Sequence, residues 1–279
     1  MQDARKQKLV QSLDRAVAIL DSFTADRQDL GVSDIARLTR LSRSTTHRLL
    51  MSLQHNQLVR QVPGGTRYAL GPHVLRLAHA ALAHVALETI AEPIMTWLRD
   101  TCGETVGFHL PHGEYARTVV SQVESRQPLR RTYTDIGQPI PIYQGAPGKL
   151  LLAYRPPEIQ AEVLARPMEA TTVHTITDPQ RLQKELERIA GQGYALSLEE
   201  RTPGISTCST PIYNHTGKVI AALSVSGPSS RLTPERLLEI VPLARQAAHR
   251  ISMQLGHVDD SSLGDRDAVL TSAGSPSHG

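Results

Sequence analysis

Apolar positions recur at helical spacing through the first part of the chain and then switch to alternation. In SLDRAVAILDSF, Leu13, Val17 and Leu20, with the flanking Val10 and Phe23, fall on one stripe, which predicts an amphipathic helix over residues 9–24. Val32, Ile35, Ala36 and Leu38 repeat the pattern in a short second helix, with Ser33 placed to cap it. A third helix follows after TRLSRS; Ser42 can cap it, and it runs to about His55. On that helix Thr46, Leu49, Leu50 and Leu53 share one face, while Arg43, Ser44, His47, Arg48 and Met51 fall on the other. QLVRQVPGGTRYALG then alternates apolar and polar residues around Pro63, Gly64 and Gly65, as a hairpin does. Three helices and a hairpin predict a winged helix-turn-helix over residues 1–71.

Residues 72–86 are rich in Ala and Leu and read as a connecting helix. Its His73, His79 and His84 are six and five apart, unlike the i, i+4 pairs that hold metal on one helix face. A second domain is expected over 87–256. It opens with a helix, LETIAEPIMTWLRDTCG, followed by strand-like runs in TVGFHL, ARTVVSQV and PLRRTY. GAPGKLLLAY reads as a loop entering a helix, PPEIQAEVLA and DPQRLQKELERIAGQ as helices, and GYALS, GISTCSTPI and GKVIAALSVSGP as strands. A last helix spans about 233–256, and the Ser-, Gly- and Asp-rich residues 257–279 are expected to be a disordered tail. Helices flanking an antiparallel sheet make this an α+β sensor-like domain.

Length and composition agree with two globular domains: 279 residues at about 150 per domain, 40% hydrophobic and 20% charged, which excludes collagen-like, coiled-coil and wholly disordered classes. Charge is uneven. Residues 1–71 hold eleven Lys or Arg against six Asp and no Glu, a balance of +5, and the remainder is at −2. A basic module on a slightly acidic body suits one domain that meets a polyanion and another with a different task, although a solvated basic face gives the same balance. Cys102 and Cys208 are too few for a disulfide framework and read first as packed thiols in a reducing compartment. The polar start, MQDARKQK, has no signal-peptide character, and His84, Glu88 and Glu92 interrupt the most apolar long segment, so a cytoplasmic location with no membrane partner is expected.

The chemistry of the third helix favours DNA. Its first turns offer two guanidiniums able to fork onto guanine or phosphate, an imidazole, and hydroxyls that reach phosphate oxygens. Arg60 and Arg67, one on each strand of the hairpin, are placed to straddle the backbone as a wing. The alternative is a small helical domain that binds protein. Enzyme signatures fail at single positions. GISTC has Cys208 where a nucleophile elbow needs its last glycine. GAPGKL has Tyr143 where a P-loop needs its first glycine and Leu150 in place of the Ser or Thr. A nucleophilic Cys208 paired with a distant histidine remains as the enzyme alternative.

SLDRAVAILDSF, LSRSTTHRLLMSL, RYALGPHVLRL, PIYQGAPGKLLLAY, GYALSLEERTPGIS and GKVIAALSVSGPSSRL, in that order, resemble the IclR family of transcriptional regulators over residues 9–256. The resemblance implies a winged helix-turn-helix, a helical linker and a GAF-like effector-binding domain. It also implies dimers or dimers of dimers on palindromic double-stranded operator DNA, and control by a small molecule, more often in repression than activation. It places DNA contacts on Ser42, Arg43, Ser44, Thr45, His47 and Arg48. The effector pocket it implies is lined by Gly145, Ala146, Pro147, Gly148, Ser197, Thr207, Ser224 and Ser226, with Tyr143 and Cys208 counted in the same lining. Neither a cofactor nor a metal is expected.

The residues agree in part. Ser224 and Ser226 are two apart on a strand, so their hydroxyls share a face, where they either meet a ligand or satisfy neighbouring backbone. Gly148 and Lys149 stand near a helix start that favours an anion, hence a carboxylate effector, and Pro147 lacks an N–H, so Ala146 or Gly148 must donate. Tyr133, Tyr143 and Tyr194 are the candidates for an aromatic wall, which suits an aromatic acid.

Overall fold

The computed structural model describes residues 10–24, 26–83 and 87–258. His84, the end of the expected linker and the expected tail from residue 259 onward lie outside the described residues. The chain divides into two compact units between residues 85 and 86.

In the first unit, α1 (Gln11–Asp21), β1 (Asp29–Gly31), α2 (Val32–Leu38) and α3 (Arg43–His55) precede the hairpin β2 (Val59–Gln61) and β3 (Arg67–Leu70), and α4 (Pro72–Ala83) follows. Ile19, Phe23, Leu30, Ile35, Leu50, Leu53, Val59 and Tyr68 form the core. Burying such side chains contributes about 1.5–3 kcal/mol each, which holds three short helices together that would be marginal alone.

Three details depart from the sequence reading. The stripe expected to face this core is divided: Phe23 is buried and Leu20 half-buried, but Val10, Leu13 and Val17 are 64%, 62% and 44% exposed, and Ile19, outside the stripe, is fully buried. The helix carries apolar residues on two faces, and the core takes the one holding Ala16, Ile19 and Leu20. Gly31, and not Ser33, precedes α2, and the Gly31 N–H is received by the Asp34 carboxylate at 3.4 Å. The unexpected β1 adds a third strand, in the order β1-β3-β2, pairing Leu30 with Tyr68. Three residues are too few to show alternation.

The second unit contains α5 (Leu87–Cys102), β4 (Thr105–His112), β5 (Ala116–Val123), β6 (Ile140–Pro141), α6 (Gly145–Ala153), α7 (Pro157–Leu164), α8 (Pro179–Gln192), β7 (Ala195–Leu198), β8 (Ile205–Tyr213), β9 (Val219–Pro228) and α9 (Pro234–Gln254). The strands form an antiparallel sheet in the order β6-β5-β4-β9-β8-β7. Strand alternation sorts the residues between its faces. Val106, Phe108, Cys208, Ile212, Leu223 and Val225 pack beneath α5 and α9. On the other face α6 and α8 cover Ala195 and Ala222, Val119 packs with Tyr133 and Ile140, and His109, Thr207, Ser209, Ser224 and Ser226 are buried polar residues.

PLRRTY is not a strand, contrary to the sequence reading; residues 128–133 are irregular. Gln122 explains why. Its side chain accepts from the Tyr133 N–H at 2.8 Å and donates to the Tyr133 carbonyl at 3.1 Å, doing what a neighbouring strand would do. The segment lays Tyr133 over the sheet against Val119 and Ile140. GAPGK is likewise no loop: α6 begins at Gly145, whose φ of +71° suits glycine. At Gly148 a Cβ would lie 2.4 Å from the Ile142 carbonyl oxygen, so glycine is required for this close approach. Among the described residues no helix is long and apolar enough to cross a membrane.

Candidate functional site

Two sites emerge, one on each unit. On the first, Ser42 caps α3 by accepting the Thr45 N–H at 3.1 Å, and its hydroxyl also meets those of Thr45 and Ser44. Thr46 donates to the Ser42 carbonyl at 3.0 Å and faces the core. Capping fixes the helix start, and the buried face of Thr46, Leu50 and Leu53 fixes its rotation. Arg43, Ser44, His47 and Arg48 are thereby left exposed on one side, with Thr45 half-buried beside them. Arg43 and Arg48 have no ion-pair partner among the described residues. On the hairpin Arg60 is exposed. Arg67 is exposed too but already engaged: it donates to the Asp29 carboxylate at 2.6 Å and to the Asp29 carbonyl at 2.7 Å. Arg60 is therefore the freer cation of the wing.

The second site is a cavity between the sheet and the start of α6. Of the residues expected there, Gly145, Ala146, Pro147, Ser197, Thr207 and Ser226 line it. So does Tyr133, together with three arginines, Arg117, Arg131 and Arg201. The cavity takes in about 330 Å³, part of it open to solvent.

Four expected lining residues stand elsewhere. Cys208 points through the sheet into the core under α5 and α9, because alternation sends it to the face opposite Thr207. Tyr143 packs beside the α6–α8 core, and its hydroxyl accepts the Glu169 N–H at 2.8 Å. Gly148 backs onto Ile142. Ser224 sits one layer behind the wall, joined to it through Tyr133 at 3.2 Å. Tyr194 lies under the Arg245 guanidinium, 5.2 Å from ring centroid to Cζ, so Tyr133 is the aromatic wall by itself among the three tyrosines named. Lys149 does not serve an anion either. It is buried and held by Glu200 at 2.6 Å and Glu185 at 3.0 Å, and burial pushes the Glu200 carboxyl up while Lys149 opposes that rise.

A hydrogen-bonded chain runs behind the wall. Thr207 and Ser226 hydroxyls are 2.9 Å apart, Ser226 and Tyr133 2.8 Å, and Ser224 Oγ lies 2.8 Å from His109 Nε2. Arg117 Nη1 approaches His109 Nδ1 at 3.1 Å. A guanidinium only donates, so Nδ1 accepts and the ring proton sits on Nε2, donated to Ser224. Burial, then the charges of Arg117, Arg201 and Arg131, hold His109 well below its ordinary 6.5, which keeps the ring neutral. Burial, then repulsion from Arg201, brings Arg117 down to about 10, so it stays a cation at neutral pH. Its Nε is buried without a partner. Arg201 is paired with the Asp135 carboxylate. The arrangement suits an anion: donors and positive charge converge on one cavity.

Arg117, His109, Arg131, Arg201 and Asp135 were missed by the sequence reading. Arg117 left a trace, the one charged residue in the strand-like run ARTVVSQV. Arg131, Asp135 and Arg201 lie in irregular segments without periodicity, and nothing in the sequence marks them. The thiol of Cys208 is pushed up to about 12 by burial, the reverse of what a nucleophile needs. Ser206 of GISTC lies within β8, not at a strand-to-helix turn.

Residues 12–63 match the family described as the IclR helix-turn-helix domain, and residues 79–253 that described as bacterial transcriptional regulator IclR C-terminal. The chain is 33% identical over 251 residues to the HTH-type transcriptional repressor AllR of Escherichia coli strain K12, covering 90% of this chain and 92% of that protein. It is 30% identical over 249 residues to the acetate operon repressor of Salmonella typhimurium, covering 88% and 90%. A crystal structure of an IclR transcriptional regulator from Silicibacter sp. TM1040 superposes with a TM-score of 0.80 at 30% identity, covering 90% of this chain and 98% of that one. With a capped, basic helix-turn-helix in one unit and a six-stranded sheet bearing a polar cavity in the other, the chain belongs to the IclR family of bacterial transcriptional regulators.

Proposed function

We propose that this protein is a repressor in the cytoplasm whose grip on operator DNA is set by a small organic acid. In this reading residues 1–71 bind DNA, 72–86 connect, and 87–256 sense the acid. Arg43, Ser44, Thr45, His47 and Arg48 of α3 enter the major groove, with Ser42 fixing the helix start and Arg60 and Arg67 holding the wing on the phosphates. Two copies meet a palindromic site whose half-sites are about 34 Å apart. The exposed Val10, Leu13 and Val17 of α1 are an apolar face suited to a second copy. The acid lies against Ser226, Thr207, Ser197 and the first N–H groups of α6, with Arg117 as its counter-ion. The names of the relatives support repression.

The observation that carries this reading is the run of exposed, unpaired cations on α3, presented by a cap and a buried face that fix both ends of the geometry. Arg43→Ala and Arg48→Ala should each weaken operator binding by about 1–3 kcal/mol in a fluorescence anisotropy titration, with the melting shift caused by a carboxylate unchanged. Operator binding that survives both substitutions would remove α3 from the interface.

A further inference from the structure

The charge balance of the cavity specifies more than an acid. Arg117, Arg131 and Arg201 line it, and the carboxylate beside them, Asp135, is taken by Arg201. Arg117 is 2% exposed, spends Nη1 on a neutral histidine and leaves Nε without a partner. Arg131 is half-buried, with its guanidinium 4.7 Å above the Tyr133 ring, and has no acidic partner among the described residues. Lys149, another buried cation of the same unit, is already balanced by Glu185 and Glu200. Among the described residues neither Arg117, in the depth, nor the half-buried Arg131 has an ion-pair partner; Asp135 acts on both through space, and for the buried Arg117 an unpaired charge is costly. A monocarboxylate balances one of them. A compact dianion such as phosphate carries its charge at one point, whereas these guanidiniums stand at two.

Resting on the reading of this cavity as the effector site, we propose that its ligand is a small dicarboxylate, with one carboxylate at Arg117 in the depth and the other at Arg131 and Arg201 near the mouth. Arg131 and Arg201 then set the preference for a second carboxylate, and Asp135 competes with it for Arg201. On binding, the second carboxylate takes the place of Asp135 on Arg201, exchanging that ion pair for one with the ligand.

The test is isothermal titration of the full-length protein at pH 7 and fixed ionic strength. The probes are benzoate against the three benzenedicarboxylates, butyrate against succinate, and inorganic phosphate. At least one dicarboxylate should bind tenfold or more tighter than its monocarboxylate counterpart. Arg131→Gln with Arg201→Gln should bring that ratio close to one, because the dicarboxylate loses far more affinity than the monocarboxylate, and Asp135→Asn should tighten the dicarboxylate. The last change removes a competitor, so a merely structural role for Asp135 predicts the opposite. Monocarboxylates or phosphate binding as tightly as every dicarboxylate, or a preference that persists in the double variant, overturns the dicarboxylate assignment alone. No binding by any probe, with operator binding intact, overturns the organic-acid reading as well.

Discussion

Arg43 and Arg48 stand in solvent on α3, while Arg117 lies 2% exposed under the start of α6. In the proposed function the same side chain is put to opposite uses. In water a guanidinium is cheap to hold ready and gains by displacing counter-ions from a phosphate backbone, so its contacts are numerous, forgiving and sensitive to salt. Out of water it is costly until an anion arrives, so its contact is single, shaped and little screened. Specificity for a small molecule comes from the second arrangement, and attachment to a polymer from the first.

The sharpest way to break this comparison is to unfold one side of it. Leu50→Ala, in the core of the first unit, should cost about 2–5 kcal/mol there, abolishing operator binding while the second unit still melts at its own temperature and still shifts with ligand. Calorimetry that shows both transitions falling together would mean the units are not independent. A smaller effect follows from Ser224→Ala with Ser226→Ala. Tyr133 and the Nε2 proton of His109 lose partners, at about 1–3 kcal/mol, and the carboxylate response should vanish with operator binding kept. A response of undiminished size would displace the pocket.

Acid should separate the units further. His109 is held neutral in the native state, whereas in the unfolded chain it takes up a proton near 6.5; the unfolded state then binds more protons, and stability falls as pH drops below that value. The loss is at most about 1.4 kcal/mol per pH unit, confined to the second unit and absent in His109→Gln, as urea titrations at pH 7, 6 and 5 would read. Smallest is a change of slope: Arg43→Ala should lower the salt dependence of operator binding, log K against log salt, by about one, and leave the salt dependence of ligand binding as it was.

The capped helix α3 and its exposed basic face were legible in the sequence because cap and periodicity repeat within a few residues: Ser42, Arg43 and Arg48 need one element to be placed. The cavity was legible only where strand alternation fixes a side, as for Thr207 and Ser226, with Ser224 on the same face but one layer behind the wall. The same alternation, applied to Cys208, would have sent it to the opposite face. What could not be read was convergence. Arg117 on β5, Arg131 and Asp135 on the irregular crossing and Arg201 before β8 come together through the sheet order and through Gln122 holding Tyr133 in place. The exposure of Val10, Leu13 and Val17 was likewise hidden, since periodicity marks an apolar face without saying what covers it.

One measurement bears most directly on this division between exposed and buried arginines. Fluorescence anisotropy of the full-length protein would be followed on duplexes tiling the region upstream of its own gene, with and without the tightest carboxylate, for the natural chain and for Arg117→Met. The expected result is tight, salt-dependent binding to one palindromic tile, weakened by the carboxylate in the natural chain and indifferent to it in Arg117→Met. Binding that responds to the carboxylate equally in both proteins, or that shows no preference among tiles, would contradict it.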